Sequence, residues 1–72
     1  MSAVLYTRPG CPHCDTKRAE LAAAGITFRE IDVSREPQVI PELLKLTRGR
    51  RIVPVVVREG RIEIAPGGGS AF

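Results

Sequence analysis

A chain of 72 residues and 7.8 kDa holds one domain, residues 1–72, and at this size folding buries only about 60% of the unfolded chain's surface, which excludes a large enclosed active-site cavity. With 43% hydrophobic and 26% charged residues it has the composition of a folded globular domain, and its longest apolar stretch, Val53 to Val57, falls well short of the ~20 residues of a membrane span. Eleven Lys and Arg against eight Asp and Glu leave +3, an excess that draws anionic small molecules or acidic protein faces; the three aromatics are scattered, so nucleic acid, read by interleaved aromatics, is not an expected partner.

The N-terminus carries no basic leader and meets Arg8 before a signal-peptide core could form, so a cytoplasmic location is the expectation. Ala3 to Thr7 reads as a strand, ended by the breaker Arg8-Pro9-Gly10. After Cys11-Pro12-His13-Cys14 a run of strong helix formers reaches Ala24, with Gly25 placed for a left-handed C-terminal cap. Pro12 suits the first helical position, which puts Cys11 at the N-cap. Ile26 to Val33, rich in β-branched and aromatic residues, predicts a second strand. Ser34 is a candidate N-cap, and Val39, Ile40, Leu43, Leu44 and Leu46 have helical spacing up to Gly49; Pro41 makes the helix begin near it or run irregularly before it. Ile52 to Val57 reads as a strand covered on both faces, with Pro54 limiting its pairing, and Ile62-Glu63-Ile64 follows a Gly-containing connector as the other arm of a hairpin. The element order is β-α-β-α-β-β, and residues 66–72 read as a Gly-rich, flexible or loosely docked tail.

Chemistry concentrates in Cys11 to Cys14. A ring closed by two cysteines three positions apart constrains almost no chain, so a structural staple is implausible, whereas Cys-x-x-Cys between a strand and a helix is a redox arrangement. Free backbone N–H groups and the positive end of the helix dipole favour an anion at the N-cap, which makes Cys11 the candidate nucleophile. Such surroundings lower a cysteine pKa from ~8.5 to roughly 3.5–7.5. Cys14, one turn on and on the same side, is the candidate resolving thiol, less exposed and less acidic.

Tyr6-Thr7-Arg8-Pro9-Gly10-Cys11-Pro12-His13-Cys14, Gly49-Arg50-Arg51-Ile52-Val53-Pro54 and Gly67-Gly68 together resemble the glutaredoxins over almost the whole chain. The resemblance implies an α/β, thioredoxin-like fold with a mixed four-stranded sheet and a cis Val53–Pro54 bond facing the cysteines, its backbone open to a thiol substrate. It also implies thiol–disulfide exchange on protein disulfides or glutathione mixed disulfides, no tightly bound cofactor, and glutathione as reductant. Arg8 stands where family members place a basic residue that helps hold glutathione; Arg51, Val53, Pro54, Gly67 and Gly68 are the other expected substrate contacts. Pro12, His13 and Arg8 are the expected tuners of the thiolate. His13 replaces the tyrosine common in the family, and a protonated imidazole there would make the disulfide more oxidising.

The chain also departs from the pattern. Ile52 stands where Thr is common, only Ser70 follows the glycines where an Asp is usual, and the family's C-terminal helix is absent or vestigial. Two glutathione contacts are thereby weakened, which brings in a flavoprotein reductase as an alternative donor. An uncovered apolar sheet face is expected, to be met by a homodimer or by Phe72 folding back. Arg48, Arg50 and Arg51 form a cluster that either receives anions or complements the end of the second helix. Three other readings stay open: a metallochaperone, an iron–sulfur cluster bridged across a dimer, and a protein-interaction module. Two cysteines and one histidine fall short of a closed zinc site, so no metal ligand set is assigned.

Overall fold

The computed structural model describes residues 2–72. In chain order the elements are β1 (Ser2–Thr7), α1 (Pro12–Ala23), β2 (Thr27–Asp32), a 3-10 turn (Pro37–Val39), α2 (Ile40–Thr47), β3 (Ile52–Val53), β4 (Val55–Arg58), β5 (Arg61–Ile64) and β6 (Ser70–Ala71). Four strands form one sheet in the order β2-β1-β4-β5, with β1 parallel to β2 and antiparallel to β4, and β5 antiparallel to β4. This is the mixed α/β sheet that the resemblance implies.

Local chemistry explains the helices. Cys11 caps α1, Pro12 takes its first position, and Gly25 follows its C-cap at φ 70, where the lack of a Cβ removes the left-handed penalty. The second helix starts later than a Ser34 cap would give: Ser34 instead donates its hydroxyl to Asp32 Oδ1 at 2.6 Å, and α2 begins at Ile40 with Pro41 in its first turn, where a missing N–H costs nothing.

Alternation divides the core between two sheet faces. On one, Tyr6, Ile31, Val33, Val53 and Val55 pack against Leu43 of α2; on the other, Ala3, Leu5 and Val56 pack against Leu21 of α1. Each fully buried Leu or Val contributes about 1.5–3 kcal/mol.

Three expectations need correction. The Ile52 to Val57 strand is two strands, β3 and β4, divided at Pro54, because proline has no N–H for a ladder. Residues 66–72 are not a loose tail: Ser70–Ala71 forms β6, paired with β3 in the register Ile52↔Ala71 and Val53↔Ser70. Nor is the α1 face left uncovered. Leu5 and Val56 are fully buried, and the outer strands show Glu30 and Glu63, over which Arg18 and Lys17 of α1 extend. Phe72 does fold back, onto the α2-side core, and among the described residues the one exposed large hydrophobic is Ile62, on that same side of the sheet.

Candidate active site

β1 ends at Thr7, and Arg8-Pro9-Gly10 turns the chain, with Gly10 at φ 71, so that Cys11 arrives extended at the start of α1. Its sulfur does what a Ser or Asp oxygen does at most helix starts: Cys11 Sγ accepts the Cys14 N–H at 3.1 Å. Burial opposes charge on Cys11, but hydrogen bonds from the Cys14 thiol, the Ser70 hydroxyl and the Cys14 and His13 amides outweigh it, and the group sits below its ordinary 9.0. Cys14 moves the other way: burial, then the hydrogen bond it gives to Cys11 and the Cys11 charge, push it up to about 12, against the pull of the Arg8 backbone and the Arg18 charge. The sequence made Cys11 the more exposed thiol, yet both are covered, Cys11 at 1% exposure and Cys14 at 0%. The segment after β5 contributes Ser70 to the stabilisation of the Cys11 thiolate, a contribution that was not visible without the fold.

That segment also engages the candidate anion-binding residues. Arg8 Nη1 donates to the Ala71 carbonyl at 3.1 Å, and Arg51 Nε donates to the Phe72 carbonyl at 2.8 Å with its guanidinium 4.8 Å from the Phe72 ring centre. Arg8, Arg51, Ala71 and Phe72 line an open pocket of about 490 Å³ floored by Val33 and Ile40. The His13 ring lies against Gly68, where a Cβ would stand 2.8 Å from Cε1. The Val53–Pro54 bond is cis, as the resemblance implies, but its backbone is not open: both residues are fully buried and Val53 pairs with Ser70.

Cys11, Pro12, His13, Cys14, Arg8, Arg51, Val53, Pro54 and Gly68 are thus gathered at one end of the sheet. Gly67 is exposed. The expected arginine cluster divides: Arg51 belongs here, whereas Arg48 and Arg50 line a second pocket with Lys45, Ile62 and Ile64. Arg8 adds nothing evident to the Cys11 thiolate through its charge; its guanidinium is spent on Ala71.

Sequence reasoning missed Ser70, treated only as a poor substitute for an acid. Its signal was the triple glycine before it, which lets backbone approach closely, followed by a hydroxyl donor. It also missed a brace beneath the cysteines: Arg18 grips Glu30 through two 2.6 Å bonds, Thr7 Oγ1 donates to the same carboxylate at 2.9 Å, and Arg18 Nη1 reaches Asp15 at 2.8 Å. The Arg18 bonds hold the Glu30 carboxyl below its usual range. Among the described residues no group of three or more His, Cys, Asp or Glu converges.

The family model described as Glutaredoxin matches residues 3–62. Gene 56 protein of Mycobacterium phage L5 is 38% identical over 55 residues, 76% of this chain and 52% of the phage protein. N-acetyl-S-hydroxy-L-cysteine reductase of Bacillus subtilis is 34% identical over 56 residues, 78% of this chain and 59% of the relative. Glutaredoxin 3 of Escherichia coli is 31% identical over 52 residues, 72% of this chain and 61% of the relative. The matches therefore span a little over half the length of these curated relatives. Among solved structures, the glutaredoxin-like protein NrdH-redoxin of Escherichia coli, described as having a thioredoxin-like activity profile, superposes with a TM-score of 0.75 at 29% identity, covering 96% of this chain and 83% of that one.

Proposed function

The chain belongs to the glutaredoxin family, and from that premise we propose that it is a dithiol–disulfide oxidoreductase that reduces protein disulfides or glutathione mixed disulfides. The observation that carries this reading is the placement of the two thiols, the Cys11 sulfur capping α1 by accepting the Cys14 N–H at 3.1 Å and Cys14 fully buried one turn on, an arrangement that favours the Cys11 thiolate and the neutral Cys14 thiol. The pair thus favours Cys11 as the nucleophile and keeps Cys14 in reserve as a proton donor.

In the first step the Cys11 thiolate attacks one sulfur of the substrate disulfide. The substrate S–S bond breaks, its leaving thiolate takes a proton, and Cys11 is joined to the substrate in a mixed disulfide. That bond removes the Cys11 anion, and with it the hydrogen bond and charge that raise Cys14. Burial still opposes Cys14 ionisation, but the Arg18 charge and the Arg8 backbone now favour the thiolate. Cys14 gives up its proton and attacks Cys11 Sγ, the mixed disulfide breaks, and the second substrate thiol leaves. Two electrons pass to the substrate and a Cys11–Cys14 disulfide remains for a reductant to open.

Glutathione is one reductant with the right chemistry. A flavoprotein reductase acting directly is the second reading, favoured because Arg8 and Arg51 already hold carbonyls of the chain itself, and because NrdH-redoxin is described as thioredoxin-like in activity. Among the described residues no helix is long and apolar enough to cross a membrane; a reducible pair of this kind works in a reducing compartment, and the cytoplasm is the proposed location.

The test is a pair of substitutions assayed on a protein disulfide with each reductant. Cys11→Ser abolishes turnover, and Cys14→Ser accumulates a mixed disulfide at Cys11. Equal turnover in both variants and the parent removes the proposal.

A further inference from the structure

A nucleophile at 1% exposure is ready in charge but closed to a partner. Beside it runs one short segment, residues 68–72, with Gly68 against the His13 ring and Ser70 paired with Val53. Its Phe72 N–H donates to the Arg51 carbonyl at 3.3 Å, and the register pairs Ala71 with Ile52 and Ser70 with Val53. Antiparallel ladders alternate hydrogen-bonded and non-bonded pairs, so the bond at Arg51–Phe72 makes Val53–Ser70 the next bonded pair. The main chain of Val53, beside the cysteines, is therefore occupied by Ser70, whose hydroxyl also favours the Cys11 thiolate. The Ala71 and Phe72 carbonyls take the guanidinium groups of Arg8 and Arg51.

We propose that residues 67–72 form a displaceable strap, a pseudo-substrate strand that shields Cys11 and leaves the β3 edge when an extended polypeptide carrying the target disulfide replaces it. The proposal rests on the oxidoreductase reading. The exchange is one of like for like: an incoming strand regains the backbone bonds of Val53 that Ser70 gives up, and the groups freed on Arg8 and Arg51 meet its carbonyls or carboxylates. A partner without an extended backbone finds the same edge filled. Selectivity for polypeptide disulfides over small ones thus comes from competition with the strap.

The hold on the edge is small enough to release. β6 is two residues long and paired only with the two residues of β3. Arg8, Arg51 and the Phe72 ring supply the remaining contacts, and three glycines precede the pairing. The closed state also leaves no room at its base: a Cβ on Gly69 would collide with the Val53 carbonyl oxygen and stand 2.8 Å from the Ala65 Cβ.

Gly69→Ala therefore drives the strap off its edge, and Phe72→Ala loosens it without a collision. Both are made in a Cys14→Ser background so that iodoacetamide reads Cys11 alone. The rate is followed against pH to its alkaline plateau, with hydrogen exchange at the Ser70 and Phe72 amides reporting release. The expected result is a plateau about tenfold higher in both variants, as for a site open one-tenth of the time at rest, with faster amide exchange. Ser70→Ala shifts the midpoint of the profile upward and leaves the plateau alone. An unchanged plateau with faster exchange overturns the proposal, as does an unchanged plateau with slow exchange, which makes the segment a fixed wall. The oxidoreductase reading is judged separately, on the same strap variants with Cys14 retained: faster alkylation in the Cys14→Ser background with no disulfide turnover when Cys14 is present removes that reading and keeps the strap, and turnover with an unchanged plateau does the reverse.

Discussion

Two identical side chains three positions apart titrate in opposite directions because one is the helix cap and the other is buried behind it. The cap was legible: Pro12 and the helix formers after it leave Cys11 only one place to stand. The Ser70 contact was not, since no local pattern brings a residue 59 positions away to the same sulfur. Ultraviolet thiolate absorbance of the reduced protein should show one step below 9.0 and a second near 12. The same shifts set a stability profile by linkage. Cys11, depressed, contributes stability that is present above its unfolded value of about 9 and is lost as pH falls through its folded one. Cys14, raised, contributes stability that is complete below about 9 and is lost as pH climbs toward about 12. The urea midpoint of the reduced protein should therefore fall between pH 9 and 11 more steeply than that of Cys14→Ser; parallel curves would show that the Cys14 thiol is not the cause.

Elements with a repeating pattern were readable, and those without one were not. Ile62-Glu63-Ile64 alternates and closes a hairpin, found as β5 against β4 with Arg61 opposite Arg58. Its turn, Glu59-Gly60, has φ 49 and 76, both positive as a type I′ turn requires. Gly60 meets that demand freely, whereas Glu59 pays a left-handed penalty that Asn bears more lightly. Glu59→Asn should raise the unfolding free energy by about 0.5–1 kcal/mol in a urea titration, with disulfide reduction unchanged because the turn lies away from the cysteines. A loss of stability would mean that Glu59 makes a compensating contact. β6, in contrast, has two residues after three glycines, too short to carry any period, and its pairing with β3 is a product of the fold. Pro54 announced an interruption, but where the chain resumed pairing depended on β1, which takes β4 and leaves β3 to the strap.

Across the whole molecule, one helix covers one face of the sheet by reaching both its edges. Arg18 extends to Glu30 on β2, and Lys17 extends to Glu63 on β5, at opposite sides of the core formed by Ala3, Leu5, Leu21 and Val56. Lys17 illustrates which part of such a side chain matters. Its ammonium stands 3.4 Å from Glu63 and 3.7 Å from Glu20, partly exposed pairs of a kind worth about 0–1 kcal/mol. Its side chain is only 16% exposed, so the methylene stem lies against the protein, where each buried methylene is worth about 0.8 kcal/mol. Packing should therefore outweigh charge. Lys17→Met keeps the stem and should leave the urea midpoint within error, whereas Lys17→Ala removes it and should cost about 1–2 kcal/mol. If instead the Met variant falls as far as the Ala variant, the ion pair to Glu63, and not the packing of a long side chain, is what joins α1 to the far edge of the sheet.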